Sequence, residues 1–379
     1  AYQSYCLLLE DKFLAEMGKS SGELSEESWS EALNWTCCSL WRGDGVPIST
    51  RLLELVSRLM FRSVGLCTGR PEDFRRARWD LLTSSQMVAA GGDAIVAFSD
   101  VMVPGLTELG DYPPVPARVY SPVGVDEKDV LPVLLFFHGG GFCIQSAKAK
   151  SSHDLVYTLV KNLHCRAVSV EYRLAPEYPF PCGLRDAYTV LSWLHSQHKQ
   201  QQHTDWKTFA KGQFPVKQLL LCGDSAGGNL ALVLSMLTSQ GLDPDNRQDP
   251  RGQSMREIIK HSALVYPALF EFKTASAQKE GMRYFLPKKM HEFYTKSYMG
   301  GDKRLLSDWR VAPLSSASFK GLPDISVISA ELDPIRDENL LLIQRLQHEG
   351  VNVAHMQALH APHGFLTLPS WASDQDLCA

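Results

Sequence analysis

No run of eighteen apolar residues occurs anywhere in the 379 positions, so neither a membrane-spanning helix nor stable membrane insertion is expected. There is no Cys-x-x-Cys pair either. The nine cysteines (Cys6, Cys37, Cys38, Cys67, Cys143, Cys165, Cys182, Cys222 and Cys378) are odd in number and scattered. That argues against a zinc ribbon and a disulfide framework. Thiols packed as small apolar side chains in a reducing compartment, the cytoplasm, are the expectation. Basic charge is not in excess: 38 Lys and Arg stand against 42 Asp and Glu, a net charge of -4. A nucleic-acid footprint would need a clustered basic surface. Short clusters such as Arg75, Arg76 and Arg78 read as a solvated helix face. The opening residues lack the basic-then-apolar signature of a secretory signal. The chain starts on Ala1 rather than Met, which leaves an upstream segment open. Asn34-Trp35-Thr36 is a formal glycosylation sequon whose use would require secretion.

What is present is ample apolar material, 44% of residues, enough for a large core. Two styles of sequence divide the chain. Residues 1–90 read as helices and connections. Leu52, Leu53, Leu55, Val56, Leu59 and Met60 fall at helical spacing between polar residues, giving an amphipathic helix over 51–66 that must bury one face. From 91 to 379 short β-branched runs take over: Ala94–Phe98, Ala117–Tyr120, Val133–Phe137, Ala167–Tyr172, Leu219–Cys222, Ala263–Tyr266, Ile325–Ser329 and Val351–Gln357. Helical stretches at 152–163, 184–198, 226–239 and 337–349 separate most of them. Val133–Phe137 and Leu219–Cys222 are continuously apolar, as in strands buried on both faces. Strand–helix alternation predicts an α/β fold with a mostly parallel sheet. Three segments break the rhythm. Gln197–Gly212 reads as a polar surface loop, and Gly241–Glu257 as a mobile one. Residues 272–301, with Tyr284, Phe285, Phe293, Tyr294 and Tyr298, read as a helical insertion. With the N-terminal region it would roof one end of the sheet as a cap. No internal repeats are found.

Gly223-Asp224-Ser225-Ala226-Gly227 follows an apolar strand and precedes a helical run. A nucleophile on such a sharp strand-to-helix turn exposes its hydroxyl above the sheet, and the crowded backbone calls for glycines beside it. The helix start adds positive potential where an anion would form. His138-Gly139-Gly140-Gly141-Phe142 directly follows strand Val133–Phe137. Three consecutive glycines cost entropy on folding and make sense where N–H groups must approach a ligand. Gly139, Gly140 and Ala226 are the expected oxyanion-hole donors. A serine needs a base, and the base an orienting acid, in the chain order Ser, acid, His. Asp333, just past strand Ile325–Ser329, is the preferred acid, with Glu331 the alternative. Asp337 reads as the opening of the next helix. Of the late histidines, His348 falls in a helix and His355 in a strand. His363, followed by Gly364, is preferred over His360 as base. The cluster Glu171-Tyr172-Arg173-Leu174-Ala175-Pro176-Glu177 reads equally well as a buried ion-pair network or a solvated turn. Phe142, Phe285 and Tyr294 are candidate pocket residues.

The ordered set HGGGF, YRLAPE, GDSAGGN, ELDP with RDE close behind, and HGF resembles the hormone-sensitive-lipase-like family over about 116–368. This branch of the α/β-hydrolases includes bacterial esterases, arylacetamide deacetylases and plant carboxylesterases. The resemblance implies an eight-stranded, mostly parallel sheet with helices on its faces and a helical cap. It implies Ser225 as nucleophile, His363 as base, Asp333 as acid, and Gly139, Gly140 and Ala226 at the oxyanion hole. A small-molecule ester would be the substrate, with no cofactor, metal or nucleic acid. Some plant relatives are hormone receptors without the catalytic histidine, and others perform elimination or cyclisation. The presence of Ser225, Asp333 and His363 together favours a carboxylesterase over a receptor. Acyl length, alcohol group and oligomeric state are not written in the sequence.

Overall fold

The computed structural model describes residues 91–367, apart from 94, 111, 127, 204–213, 272, 281–285 and 287. The expected N-terminal helical region, 1–90, with its helix at 51–66, lies outside the described residues, as does Phe285. Nine strands make one sheet: β1 (Gly91–Gly92), β2 (Val96–Val103), β3 (Val115–Pro122), β4 (Leu131–Phe137), β5 (Arg166–Val170), β6 (Val216–Asp224), β7 (Ile259–Val265), β8 (Asp324–Leu332) and β9 (Val353–Pro362). Their order is β1-β2-β3-β5-β4-β6-β7-β8-β9. The pairs β1–β2, β2–β3 and β3–β5 are antiparallel, and every pair from β5 to β9 is parallel. The strand beyond the expected eight is the two-residue ladder Gly91–Gly92, too short to register as an apolar run.

The parallel centre is built as its sequence demands. From Val133 to Phe137 every β4 side chain is buried, and all of β5 is buried. Helices cover such a strand on both faces. These helices are α1 (Lys150–Leu163), α2 (Cys182–His203), α3 (Ala226–Gln240), α4 (Gly252–Ile258), α5 (Ala275–Glu280), α6 (Lys288–Tyr298) and α7 (Arg336–His348). The chain leaves β4 for β5 on one side and returns to β6 on the other. Strand order therefore reverses at β4, and the crevice of an open α/β sheet forms at such a reversal, beyond the strands' C-terminal ends. Phe137 pairs with Gly223, so the glycine loop after β4 and the turn after β6 emerge side by side.

Two polar segments differ from expectation. The helix α2 continues through Gln197 to His203, where a surface loop was expected to begin. Gln197 is wholly buried and its Oε1 accepts the Phe214 N–H. The segment expected to be a mobile loop, 241–257, is a tied turn leading into α4. Asp243 accepts N–H bonds from Asp245 and Arg247 and is paired by the Arg247 guanidinium. Asp249 holds the Arg251 N–H and side chain and the Tyr188 hydroxyl. Both aspartates are buried. Short polar side chains that bond the backbone locally offer an alternative to apolar packing that hydropathy does not register. The expected insertion between β7 and β8 is helical, as α5 and α6.

Candidate active site

Ser225 stands between β6 and α3 with φ 53° and ψ −114°, in the left-handed region that side chains rarely adopt. Such strain persists only where neighbours over-determine it, and they do. The Ser225 N–H donates to Val265 O on β7 at 2.9 Å, and its carbonyl accepts from Asn229 at 3.1 Å and Ala268 at 3.0 Å. Glycine is required on either side: a Cβ at Gly227 would overlap Phe137 O, and one at Gly223 would overlap the Gly227 backbone. The turn is thus packed backbone against backbone, and only the serine hydroxyl is presented.

Strands β8 and β9 bring the partners. Asp333 follows β8, is fully buried, and accepts the Ile335 N–H on Oδ1 at 2.9 Å. Its Oδ2 lies 2.8 Å from His363 Nδ1, and His363 Nε2 lies 2.8 Å from Ser225 Oγ. A carboxylate on Nδ1 holds the hydrogen there and leaves the Nε2 lone pair facing the serine hydroxyl. The His363 ring lies against Tyr266, centroids 4.8 Å apart. The alternatives Glu331 and His360 pair with each other instead. Glu331 Oε2 accepts the His360 N–H at 2.7 Å and lies 3.4 Å from its ring. Asp337 sits in the first turn of α7, His348 in α7 and His355 in β9, as expected.

The glycine loop departs from expectation at one position. The Gly139 N–H donates to Asp224 Oδ1 at 2.8 Å, so it is not available to a ligand. Gly140 and Gly141 have φ of 105° and 59°, and neither donates its N–H to any group among the described residues. The Ala226 N–H, at the first position of α3, is one of the orphan donors every helix start leaves. Among the described residues the N–H groups of Gly140, Gly141 and Ala226 are therefore the ones left without an acceptor, and that of Gly139 anchors the loop. Burial pushes the Asp224 carboxyl up to about 6, against the pull of the Gly139 N–H.

Around the loop the packing is aromatic. Tyr294 of α6 is buried with its ring against Gly141, where a Cβ would overlap it. Phe142 turns away into a stack: its ring is 3.7 Å from Tyr298 and 6.0 Å from Phe270, centroid to centroid. At 3% exposure it supports the loop from behind. The Tyr172 hydroxyl donates to His138 O at 2.7 Å, and its ring stacks on His138 at 4.3 Å. The Glu171–Glu177 cluster is a tied network at its start. Glu171 accepts from Ser146 Oγ and Ala147 N, and Arg173 forks onto buried Asp186. Reasoning from sequence missed Asp224, Asn229, Gly141 and Glu338. The first three lie inside quoted motifs, and Glu338 lies in RDE, so each was in view without its partner.

A reversal point in a parallel sheet, with a strained serine after the central strand and a histidine and aspartate from the last two, defines the α/β-hydrolase architecture. The chain belongs to the family described as the alpha/beta hydrolase fold, whose model matches residues 134–367. It is 32% identical to Lipase 2 of Moraxella sp. (strain TA144), over 62% of this chain and 55% of that protein. It thus spans just over half of that lipase's length. It is 29% identical to a gibberellin receptor of Arabidopsis thaliana, over 67% of this chain and 72% of the receptor. Among solved structures, an ester hydrolase from the metagenome of Lake Arreo, complexed with a derivative of bipyridine phosphonate, matches with a TM-score of 0.66. That match is 27% identical, covering 88% of this chain and 95% of the other. No helix among the described residues is long and apolar enough to cross a membrane.

Proposed function

We propose that the protein is a serine carboxylesterase acting on small-molecule esters through an acyl-enzyme. The observation that carries this reading is the continuous chain Asp333–His363–Ser225, with both links at 2.8 Å, beside unoccupied N–H donors. His363 takes the Ser225 proton as Oγ attacks the ester carbonyl. The oxyanion settles against the N–H groups of Gly140, Gly141 and Ala226. His363 protonates the leaving alcohol, then activates water to release the acid. The buried carboxylate of Asp333 stabilises the imidazolium in both steps. No external cofactor enters these steps. Tyr294, over Gly141, and the insertion that bears it would limit the size of the ester. Among the described cysteines, Cys165, Cys182 and Cys222 carry free thiols, which supports a reducing compartment such as the cytoplasm.

The likeness to a plant hormone receptor supplies a second reading, ligand binding without turnover. One experiment separates the two: hydrolysis of p-nitrophenyl esters from acetate to palmitate by wild type and Ser225→Ala. The esterase reading expects Ser225→Ala to lose at least about 10³-fold in kcat, retaining the residual rate that positioned donors alone provide. A folded wild type that hydrolyses none of the series, or hydrolyses it equally well without Ser225, overturns it in favour of binding.

A further inference from the structure

The triplet Arg336-Asp337-Glu338 behind Asp333 takes no part in the steps above. Its carboxyl groups, with Asn339, reach the segment that carries the chain from β7 into α5. Asp337 Oδ2 accepts the Ser276 N–H at 2.8 Å, and Asn339 Nδ2 donates to Pro267 O at 2.8 Å. Asn229, on the helix behind Ser225, donates to Ala268 O at 2.8 Å. Glu338 makes the tightest grip. It is wholly buried, and its two oxygens accept the N–H groups of Leu269 at 2.8 Å and Glu271 at 2.7 Å.

Those two N–H groups flank Phe270, whose φ is +65°. A left-handed backbone is unfavourable for a residue with a Cβ and survives only where its surroundings hold it. Glu338 holds it from both sides. The consequence is the placement of the Phe270 ring, 6.0 Å from Phe142 at 20° and 6.2 Å from Tyr298 at 11°. Phe142 follows Gly141 and itself has φ +62°. Tyr298 closes α6, the helix that lays Tyr294 on Gly141. Both supports of the glycine loop therefore meet the ring that Glu338 fixes.

We propose that Glu338 is a positioning residue for the ester reaction. By locking Phe270 it sets the position of Phe142, and so the alignment of the Gly140 and Gly141 N–H groups on the oxyanion. The carboxyl group is suited to this because both of its oxygens accept. A glutamine would turn an NH₂ group onto one of the two N–H donors. The inference rests on the reading of Ser225 as nucleophile.

The test uses the full chain with Glu338→Gln, Phe270→Leu and the double variant, on p-nitrophenyl acetate. Competent sites are counted by titration with a p-nitrophenyl phosphonate, so that loss of folded protein is separated from loss of rate. Each single variant is expected to lose about tenfold or more in kcat per titrated site with KM within about threefold, because the interaction exists in the transition state and not in substrate binding. The double variant is expected to lose no more than the worse single, because both act along one path. The proposal is overturned if kcat per site stays within about twofold of wild type in either single, or if the two losses multiply. Should Glu338→Gln fail to fold, Phe270→Leu decides by the same threshold. A wild type without Ser225-dependent turnover overturns the esterase reading first, and this inference with it.

Discussion

Two glycines of the site are replaceable to very different degrees, and the difference tests how it is built. At Gly227 an added Cβ would run into the Phe137 backbone, which cannot yield without parting β4 from the turn. At Gly141 it would meet the Tyr294 ring, a side chain that can be truncated. Gly227→Ala is therefore expected to abolish soluble folded protein. Gly141→Ala is expected to fold and to lose about 10²-fold in kcat/KM, the cost typical of spoiling one oxyanion donor. Adding Tyr294→Ala should restore part of that loss, because it removes the overlap but not the strain of a Cβ at φ 59°. Esterase kinetics on the two variants and the double would show it, and a double no better than Gly141→Ala alone would remove Tyr294 from the account. At this scale Ser225, Asp333 and His363 were legible because each sits at a strand end in the one chain order the fold permits. Which glycine N–H groups stay without an acceptor was not legible. That depends on φ values at Gly140 and Gly141, and on a hydrogen bond between Gly139 and Asp224, 85 positions apart.

Between elements, buried charge does what apolar packing does inside them. Arg173, three residues past β5, reaches Asp186 on α2 with Nε and Nη2, and Asp186 also accepts the Arg173 N–H at 2.8 Å. The aspartate is 2% exposed and the guanidinium 28%. Removing the cation alone strands a buried carboxylate, so Arg173→Met is expected to cost about 2–4 kcal/mol, reduced from the figure for a fully buried pair by the guanidinium's exposure. Arg173→Met with Asp186→Leu should recover most of it. Urea midpoints at constant slope give both values. If the double variant is less stable than the single, the pair contributes more than its own desolvation costs. Val133–Phe137 of β4 was legible as a continuous apolar run, because burial on two faces leaves little room for polar side chains, and the other longer strands were legible from short β-branched runs; α4 was not, because it lies in a polar segment. Polar order was not. In 241–257 the tie is made by Asp243 and Asp249 to Arg, Tyr and backbone N–H groups, and composition reads those same residues as loop.

Across the whole molecule the buried titratable groups set opposing slopes of stability with pH. The α/β class and the reversal of strand order at β4 follow from a sequence whose apolar runs alternate with helices, but which polar groups end up under that core is a property of the finished packing. Burial holds His138, His195 and His291 down from 6.5 to about 4. As depressed bases they contribute stability that is whole above 6.5 and lost as pH falls through 4. Burial pushes Asp224 from 3.8 up to about 6 and Glu338 from 4.5 up to about 8. As raised acids they contribute stability that is whole below their unfolded values and lost as pH rises through 6 and 8. Between 4.5 and 6 the unfolded chain binds up to three more protons at these histidines and the folded chain two more at these carboxyls; the lowered His153, His261 and His355 add to the rise and the raised Glu171 opposes it, so stability rises with pH. Above 6.5 only Glu338 still titrates among the five, and its sign is downward. Stability is therefore expected to peak at about pH 6.5 and to fall towards 8, as read by urea midpoints from pH 4.5 to 8.5. Glu338→Gln should flatten the alkaline fall and steepen the acid limb, because the carboxyl that opposes the histidines from 4.5 upward is gone. A wild-type curve that stays level from pH 6.5 to 8.5 would mean that Glu338 is ionised throughout, stabilised by its two N–H bonds beyond what burial costs it.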